Sequence, residues 1–99
     1  MTLLHIAFQD GFSDDTVQVL VNSREVTQKE HVTTRTQIGL ADSFEMDVPE
    51  GMMELEVLVP TRNLSERITL PVSKAVYLGV SVDEGRMVHK VSEEPFGYL

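Results

Sequence analysis

The sequence predicts an all-β protein, an antiparallel β-sandwich of about seven to eight short strands. Apolar residues mostly alternate with polar ones between residues 2 and 91, and clusters of Gly, Pro, Asn and Asp interrupt the alternation. No stretch shows the three-to-four-residue apolar spacing of a helix. Because period-two alternation builds half-buried strands, we expect one two-layer domain over residues 1–99, with 93–99 as a C-terminal tail.

Each predicted strand is an alternating run bounded by turn residues. The runs span residues 2–9, 16–21, 43–48, 53–59, 66–72, 75–82 and 87–91. Val26 begins a short return, and the Thr-rich polar segment 32–37 is interpreted as an edge strand or an extended loop. Pro71 lacks an amide donor, so its strand lies at a sheet edge or ends at Leu70. Phe12, in the first loop, is expected to fold back onto the core.

The parity of the inward-facing residues changes at the connection 49–52. The residues expected to face the core are Leu4, Ile6, Phe8, Val17, Val19, Val21, Phe44, Met46, Val48, Met53, Leu55, Val57, Val59, Ile68, Leu70 and Val72. If the strands flanking 49–52 paired, Asp47 would face Glu54 and Glu45 would face Glu56, and like charges would repel. Three alternatives remain: the strands belong to opposite sheets, a basic neighbour offsets the acidic stripe, or the stripe binds a cation or a basic partner.

The last turn, 83–86, has an even length, which fixes the register of the final hairpin. It pairs Val82 with Met87, Val80 with His89, and Leu78 with Val91. These residues form one apolar face, so we expect His89 on or near the core-facing side.

Composition excludes several classes of protein. The formal net charge is -8, and no Lys/Arg cluster is present. We therefore expect no nucleic-acid partner and no attraction to an anionic membrane. Zero cysteines exclude disulfides and thiolate zinc sites. With neither a signal peptide nor a long apolar run at its N-terminus, the chain is expected to be cytoplasmic.

The histidines offer no predicted transition-metal site. His5, His31 and His89 lack a histidine partner two or four residues away, so no two of them are arranged as ligands. No nucleophile motif and no Gly-rich phosphate loop is present. We expect no cofactor and no enzymatic activity.

Four aspartates could lie together at one end of the sandwich. Asp10, Asp14, Asp15 and Asp42 are oxygen ligands of the kind calcium prefers, but their segments match no calcium-loop template. Turns recruit the same residue types, and we favour that interpretation.

Exposed aromatic residues give the candidate partner-binding set. Tyr77 is predicted on the outer face of its strand, and Phe96, Tyr98 and Leu99 lie in the tail after Pro95. The tail either folds back and caps the sandwich, burying Phe96 and Leu99, or docks on a second copy or another protein.

The rhythm VQVLVNSREV at 17–26, followed by VTT at 32–34, resembles small bacterial β-sandwich domains of immunoglobulin-like or prealbumin-like type. The resemblance implies a non-catalytic binding or accessory module. We therefore expect a protein-interaction module that binds another protein or self-associates. The alternative is a carbohydrate- or calcium-binding module.

Overall fold

The computed structural model describes residues 1–96, which form two four-stranded sheets. The strands are β1 (Thr2–Phe8), β2 (Asp15–Val21), β3 (Arg24–Val32), β4 (Asp42–Val48), β5 (Gly51–Val59), β6 (Leu64–Val72), β7 (Val76–Asp83) and β8 (Arg86–Ser92). The first sheet has the order β4-β1-β7-β8 and the second β3-β2-β5-β6. A 3-10 helix, Pro60–Arg62, follows β5. The all-β, two-layer prediction is confirmed.

One pair of strands departs from the antiparallel prediction. β1 and β7 run parallel, with Leu4 beside Val76 and Phe8 beside Val80, whereas the other paired strands are antiparallel. Alternation of side chains is the same in both kinds of ladder, so it does not reveal strand direction.

A single hydrophobic cluster joins the inner faces of both sheets. Of the residues expected to face the core, all are buried except three that are half-buried: Phe44, Met46 and Leu70. These three lie on β4 and β6, which are edge strands and are therefore covered from one side only. Phe12 folds back as predicted. It is 3% exposed, and its ring meets that of Phe8 edge-on at 5.9 Å.

The edge strand β3 of the second sheet lies earlier in the chain than segment 32–37, the predicted edge strand or extended loop. β3 covers Arg24–Val32, whereas segment 33–37, expected as part of an edge strand or an extended loop, forms only an isolated bridge at Arg35. Thr34 instead fastens the Phe12 loop, because its hydroxyl accepts from the Phe12 amide and donates to the Gln9 carbonyl. An edge strand can be polar on both faces, which hid β3 from the alternation pattern.

The connection after β4 carries the chain from the first sheet to the second, so the first of the three alternatives holds. Glu54 and Glu56 on β5 face Arg67 of β6, which lies 3.8 Å and 3.4 Å from their carboxylates. On the other sheet, Glu45 of β4 pairs with His5 at 2.8 Å. Glu54 and Glu56 therefore contact an arginine, and Glu45 a histidine, on the neighbouring strand, and the acidic residues of β4 and β5 do not face each other.

Pro71 lies on the outermost strand of the second sheet, as predicted, and β6 continues through it to Val72. Within residues 1–96, no helix has the length and apolar character needed to cross a membrane.

Replacing Gly11 with alanine should destabilise the fold strongly. Gly11 has a φ of +87°, and a Cβ there would lie 1.9 Å from the Val82 carbonyl oxygen. Gly85 has a φ of +77° with open space around it, so Gly85→Ala is a control for the backbone conformation alone. We expect Gly85→Ala to cost about 1–2 kcal/mol and Gly11→Ala clearly more, measured by urea unfolding. Equal costs would show that the Val82 contact has no energetic consequence.

Candidate interaction surface on the first sheet

The centre of the first sheet presents an outer face without formal charge. Alternation turns the following residues of β1 and β7 away from the core: Leu3, His5, Ala7, Tyr77, Gly79 and Ser81. None of these six is Asp, Glu, Lys or Arg, although the chain carries a net charge of -8, and the one charged outward residue of the two strands is Asp83 at the end of β7. We call this set the outer face of the first sheet. It is a region where a partner could be bound without removing a charge from water.

Tyr77 lies on this face, as predicted, within a cross-strand row. Its register partner on β1 is His5, whose partner on β4 is Glu45. The ring centroids of His5 and Tyr77 are 5.6 Å apart with a 45° tilt, and His5 Nδ1 lies 2.8 Å from Glu45 Oε2. Tyr77 is half-buried by this packing, so its ring is held in one place rather than free in solvent.

Next to this row the outer face is hollow. Gly79 has no side chain, and the Gln9 side chain lies so close that a Cβ on Gly79 would be 2.6 Å from Gln9 Oε1. An open cavity of about 190 Å³ results, lined by Gln9, Asp10, Gly79, Ser81, Val88, His89 and Lys90. Its rim is fixed by the Asp10 amide, which donates to Ser81 Oγ at 3.2 Å.

β8 forms one edge of the first sheet. The predicted register is confirmed: Val82 pairs with Met87, Val80 with His89, and Leu78 with Val91, without interruption. Val88 on the outer side and Val91 on the inner side are nevertheless 46% and 50% exposed. No strand in the described part of the chain pairs with the far side of β8, so its apolar side chains are only partly covered.

His89 is on the core-facing side of β8, as expected, but it lies at the open edge of the sandwich. Its Nδ1 is 3.3 Å from Glu66 Oε2 of β6, so the pair bridges the edges of the two sheets. The His89 side chain is 33% exposed, because β6 and β8 are both edge strands.

The start of the tail turns back across the outer side of β8. Ser92 Oγ caps the turn through the amide and carbonyl of Glu94, and Lys74 pairs with Glu93 at 3.0 Å. Phe96 is half-buried under Lys90, whose Nζ lies 5.3 Å from the ring centroid. Phe96 therefore shares the outer side of the first sheet with Tyr77. Tyr98 and Leu99 lie outside the described residues.

The four candidate aspartates have separate partners or places. Asp14 meets His31 at 2.7 Å and Asp42 meets Lys29 at 3.4 Å. Asp10 lies beside the cavity on the outer face. Over residues 1–96, no group of three or more His, Asp and Glu side chains is arranged to hold a metal ion.

Asp15, the last of the four, is buried and forms a structural clamp. Its carboxylate accepts from Arg62 Nε at 3.0 Å and 3.1 Å, from Thr61 Oγ1 at 2.8 Å and from the Ser13 amide at 2.8 Å. Burial by itself would raise the pKa of Asp15. The hydrogen bonds from Arg62, Ser13 and Thr61, with the Arg62 charge, outweigh burial and hold the pKa below 3.8.

Sequence reasoning missed the contribution of β8. The alternation Arg86-x-Val88-x-Lys90 in a strand without any acidic residue was the available signal. Its meaning depends on β8 being an edge, which only long-range pairing determines.

Compared with known proteins, the chain matches no family model, and it has no significant match among curated proteins or solved structures.

Asp15→Asn should lower the free energy of unfolding by about 1.5–3 kcal/mol at pH 7, because charge-assisted hydrogen bonds are lost inside the fold. The folded-state pKa of Asp15 is lowered, so its contribution is complete above pH 3.8 and disappears as the pH falls through the folded-state value. Urea unfolding between pH 2 and pH 7 measures this. Asp47→Asn, at an exposed position on β4, is the control. A stability difference for Asp15→Asn that stays constant down to the lowest pH would contradict the clamp.

His31 should titrate above its ordinary pKa of 6.5. The hydrogen bond and charge of Asp14 raise the pKa of this exposed side chain, with a smaller contribution from Glu30. A raised pKa stabilises the fold below the unfolded-state value, and this effect is lost as the pH rises through the folded-state value. NMR titration should show the His31 midpoint falling towards 6.5 in Asp14→Asn. An unchanged midpoint would show that the Asp14 contact is absent in solution.

Proposed function

We propose that this chain is a non-catalytic protein-interaction module that binds an extended segment of its partner along the free edge of β8. The supporting observation is the combination of a free strand edge with exposed Val88 and Val91 on its two sides. A free edge offers backbone donors and acceptors to an added strand, and alternate side chains then give specificity.

The other three edges of the described sheets are less suited to strand addition. β3 has register shifts near Val17 and Leu20, which disturb its ladder. β4 carries three acidic residues, Asp42, Glu45 and Asp47, and β6 contains Pro71. Charges, bulges and prolines are the devices that keep edges from pairing. β8 has an unbroken register and no proline, and its charged residues, Arg86 and Lys90, are both cationic, so they oppose only strands of like charge.

The surface next to β8 would extend the contact. Phe96 and Tyr77 both lie on the outer side of the first sheet, and no charged side chain separates β1 from β7 there. Aromatic residues on an uncharged surface are typical of the centres of protein interfaces. This supports the expected partner-binding role of Tyr77 and Phe96 as neighbours of the β8 edge.

We also propose that the sandwich is prealbumin-like rather than immunoglobulin-like. In constant-type immunoglobulin domains, the first and second strands share one sheet with the fifth and fourth. Here β1 and β2 lie in different sheets, and β1 pairs with β7 in parallel.

Val88→Lys should weaken binding of extended peptides by about tenfold, the equivalent of losing most of one buried valine side chain. The probe is a set of ten-residue peptides selected on the wild-type protein from a displayed random library. Met52→Lys is the matched control, because Met52 is 67% exposed on the other sheet. Fluorescence anisotropy gives the affinities.

Amide hydrogen exchange locates the bound peptide. We expect new protection within β8 and none in β3, β4 or β6, because only the edge that receives the peptide gains backbone hydrogen bonds. Protection at another edge, or a library that yields no binder, would refute the proposed function.

A further inference from the structure

The three outward side chains of β8 form a repeating charged and apolar pattern. Arg86, Val88 and Lys90 share the outer side, with Asp83, Ser81 and Gly79 as their register partners on β7. Successive residues on one side of a strand are about 6.8 Å apart, so the two cations stand about 13–14 Å apart with Val88 between them. β8 itself carries these two cations and no acidic residue, although Asp83 of β7 lies opposite Arg86.

On the inner side of β8, the open edge leaves room for a side chain. A cavity of about 100 Å³ lies between the two sheets beside Val91, with Leu70, Pro71 and Val76 among its lining residues. Leu70 belongs to the edge strand β6, so the cavity lies where the two sheet edges meet, and the ion pair of Lys74 and Glu93 lines its other side. A strand added to β8 would place the residue opposite Val91 next to it.

Resting on the proposed function, we infer that the occupant of the β8 edge is an acidic extended segment of another protein. Its residues opposite Val91 and Val88 are apolar, and those opposite Lys90 and Arg86 are acidic. The residues opposite His89 and Met87 are not specified. The two acidic side chains pair with Lys90 and Arg86, and the two apolar ones cover Val91 and Val88. In an antiparallel strand the order from the position opposite Val91 to that opposite Arg86 runs from the N-terminus to the C-terminus, and in a parallel strand it is reversed; the test peptides take the antiparallel order.

A second copy of this chain is a poorer occupant. Joining β8 to β8 would bring Arg86 and Lys90 of both copies onto one outer side, because alternation keeps these residues outward in any register that preserves the faces. Like charges that meet across a ladder destabilise it. The net charge of -8 on each copy adds a longer-range repulsion.

That net charge also repels an acidic partner. This repulsion acts over a longer range than the attraction of Arg86 and Lys90 for the bound strand. At physiological salt the screening length is about 8 Å, so distant carboxylates are largely screened while a cation in contact with the bound strand is not. Lys90 is held in place from one side by the Phe96 ring. The ring leaves ammonium donors free for a carboxylate.

Three synthetic peptides test this inference. They share valine at the two apolar positions and threonine at the two unspecified ones, and carry glutamate, glutamine or lysine at the two acidic positions. We expect the glutamate peptide to bind the wild-type protein about fivefold tighter than the glutamine peptide, the effect of two exposed ion pairs. The lysine peptide should bind weakest. Fluorescence anisotropy at 0.15 M and 0.5 M NaCl measures this, and high salt should reduce the preference.

The double variant Arg86→Gln/Lys90→Gln should abolish the preference for glutamate. The control, Arg24→Gln/Arg35→Gln, removes the same charge at positions outside β8 and should preserve it. If the glutamate and glutamine peptides bind alike, or the preference survives in the double variant at Arg86 and Lys90, the acidic partner is refuted.

The two proposals fail in distinguishable ways. If the three peptides bind equally and Val88→Lys weakens the binding of all three, the strand-addition function is supported and the acidic partner is refuted. Absence of binding by all three, together with no binder from the random library, refutes both. A dimer seen by light scattering and abolished by Val88→Lys would identify a second copy as the occupant and overturn the acidic partner.

Discussion

The parallel pairing of β1 with β7 is the constraint on which the rest of the structure depends. Strands that run parallel cannot be joined by a hairpin and need a long crossover. Here that crossover passes through the whole second sheet and through β4, because β2, β3, β5 and β6 all lie between β1 and β7 in sequence. The fully buried residues Leu4, Ile6 and Phe8 place β1 in the middle of the first sheet. With β1 and β7 in the middle, β4 and β8 are the two edge strands of the first sheet.

Alternation could predict which side of most strands faces the core, but not which strands are neighbours. The inward residues of β1, β2 and β5 follow directly from period two, and the even length of turn 83–86 fixes the register of β7 and β8. Strand direction and sheet order carry no such local signal, so the parallel pair was missed. Only a short return at Val26 was predicted where β3 lies, because an edge strand needs no apolar alternation, and of the two alternatives for segment 32–37 the extended loop describes residues 33–37. In the candidate surface, Tyr77 was predicted as outward from parity alone, whereas Val88, Arg86 and Lys90 acquire meaning only from the position of β8 at an edge.

The distribution of charge follows from the same sheet order. Some acidic side chains on the strands have a basic partner one strand away, as Glu54 and Glu56 do with Arg67 and Glu45 does with His5. Such exposed pairs contribute little stability individually, about 0–1 kcal/mol. The sheet order has the greater effect. Because β4 and β5 belong to different sheets, their acidic residues do not face one another. The two cations of β8 differ from each other, because Arg86 lies opposite Asp83 on β7 whereas Lys90 lies opposite Gly79.

A free strand edge can pair with a partner strand or, in aggregation, with other copies of the chain. The side chains on each edge determine which strands can pair with it. Proline, register shifts and carboxylates oppose pairing at β6, β3 and β4 with almost any strand. In the proposed function, Arg86 and Lys90 oppose it selectively, because cations repel a basic strand or a second β8 but attract an acidic one. Val88 and Val91 then supply apolar contacts on both sides of the ladder. An edge protected only by cations therefore discriminates among partners, which an edge closed by proline cannot do.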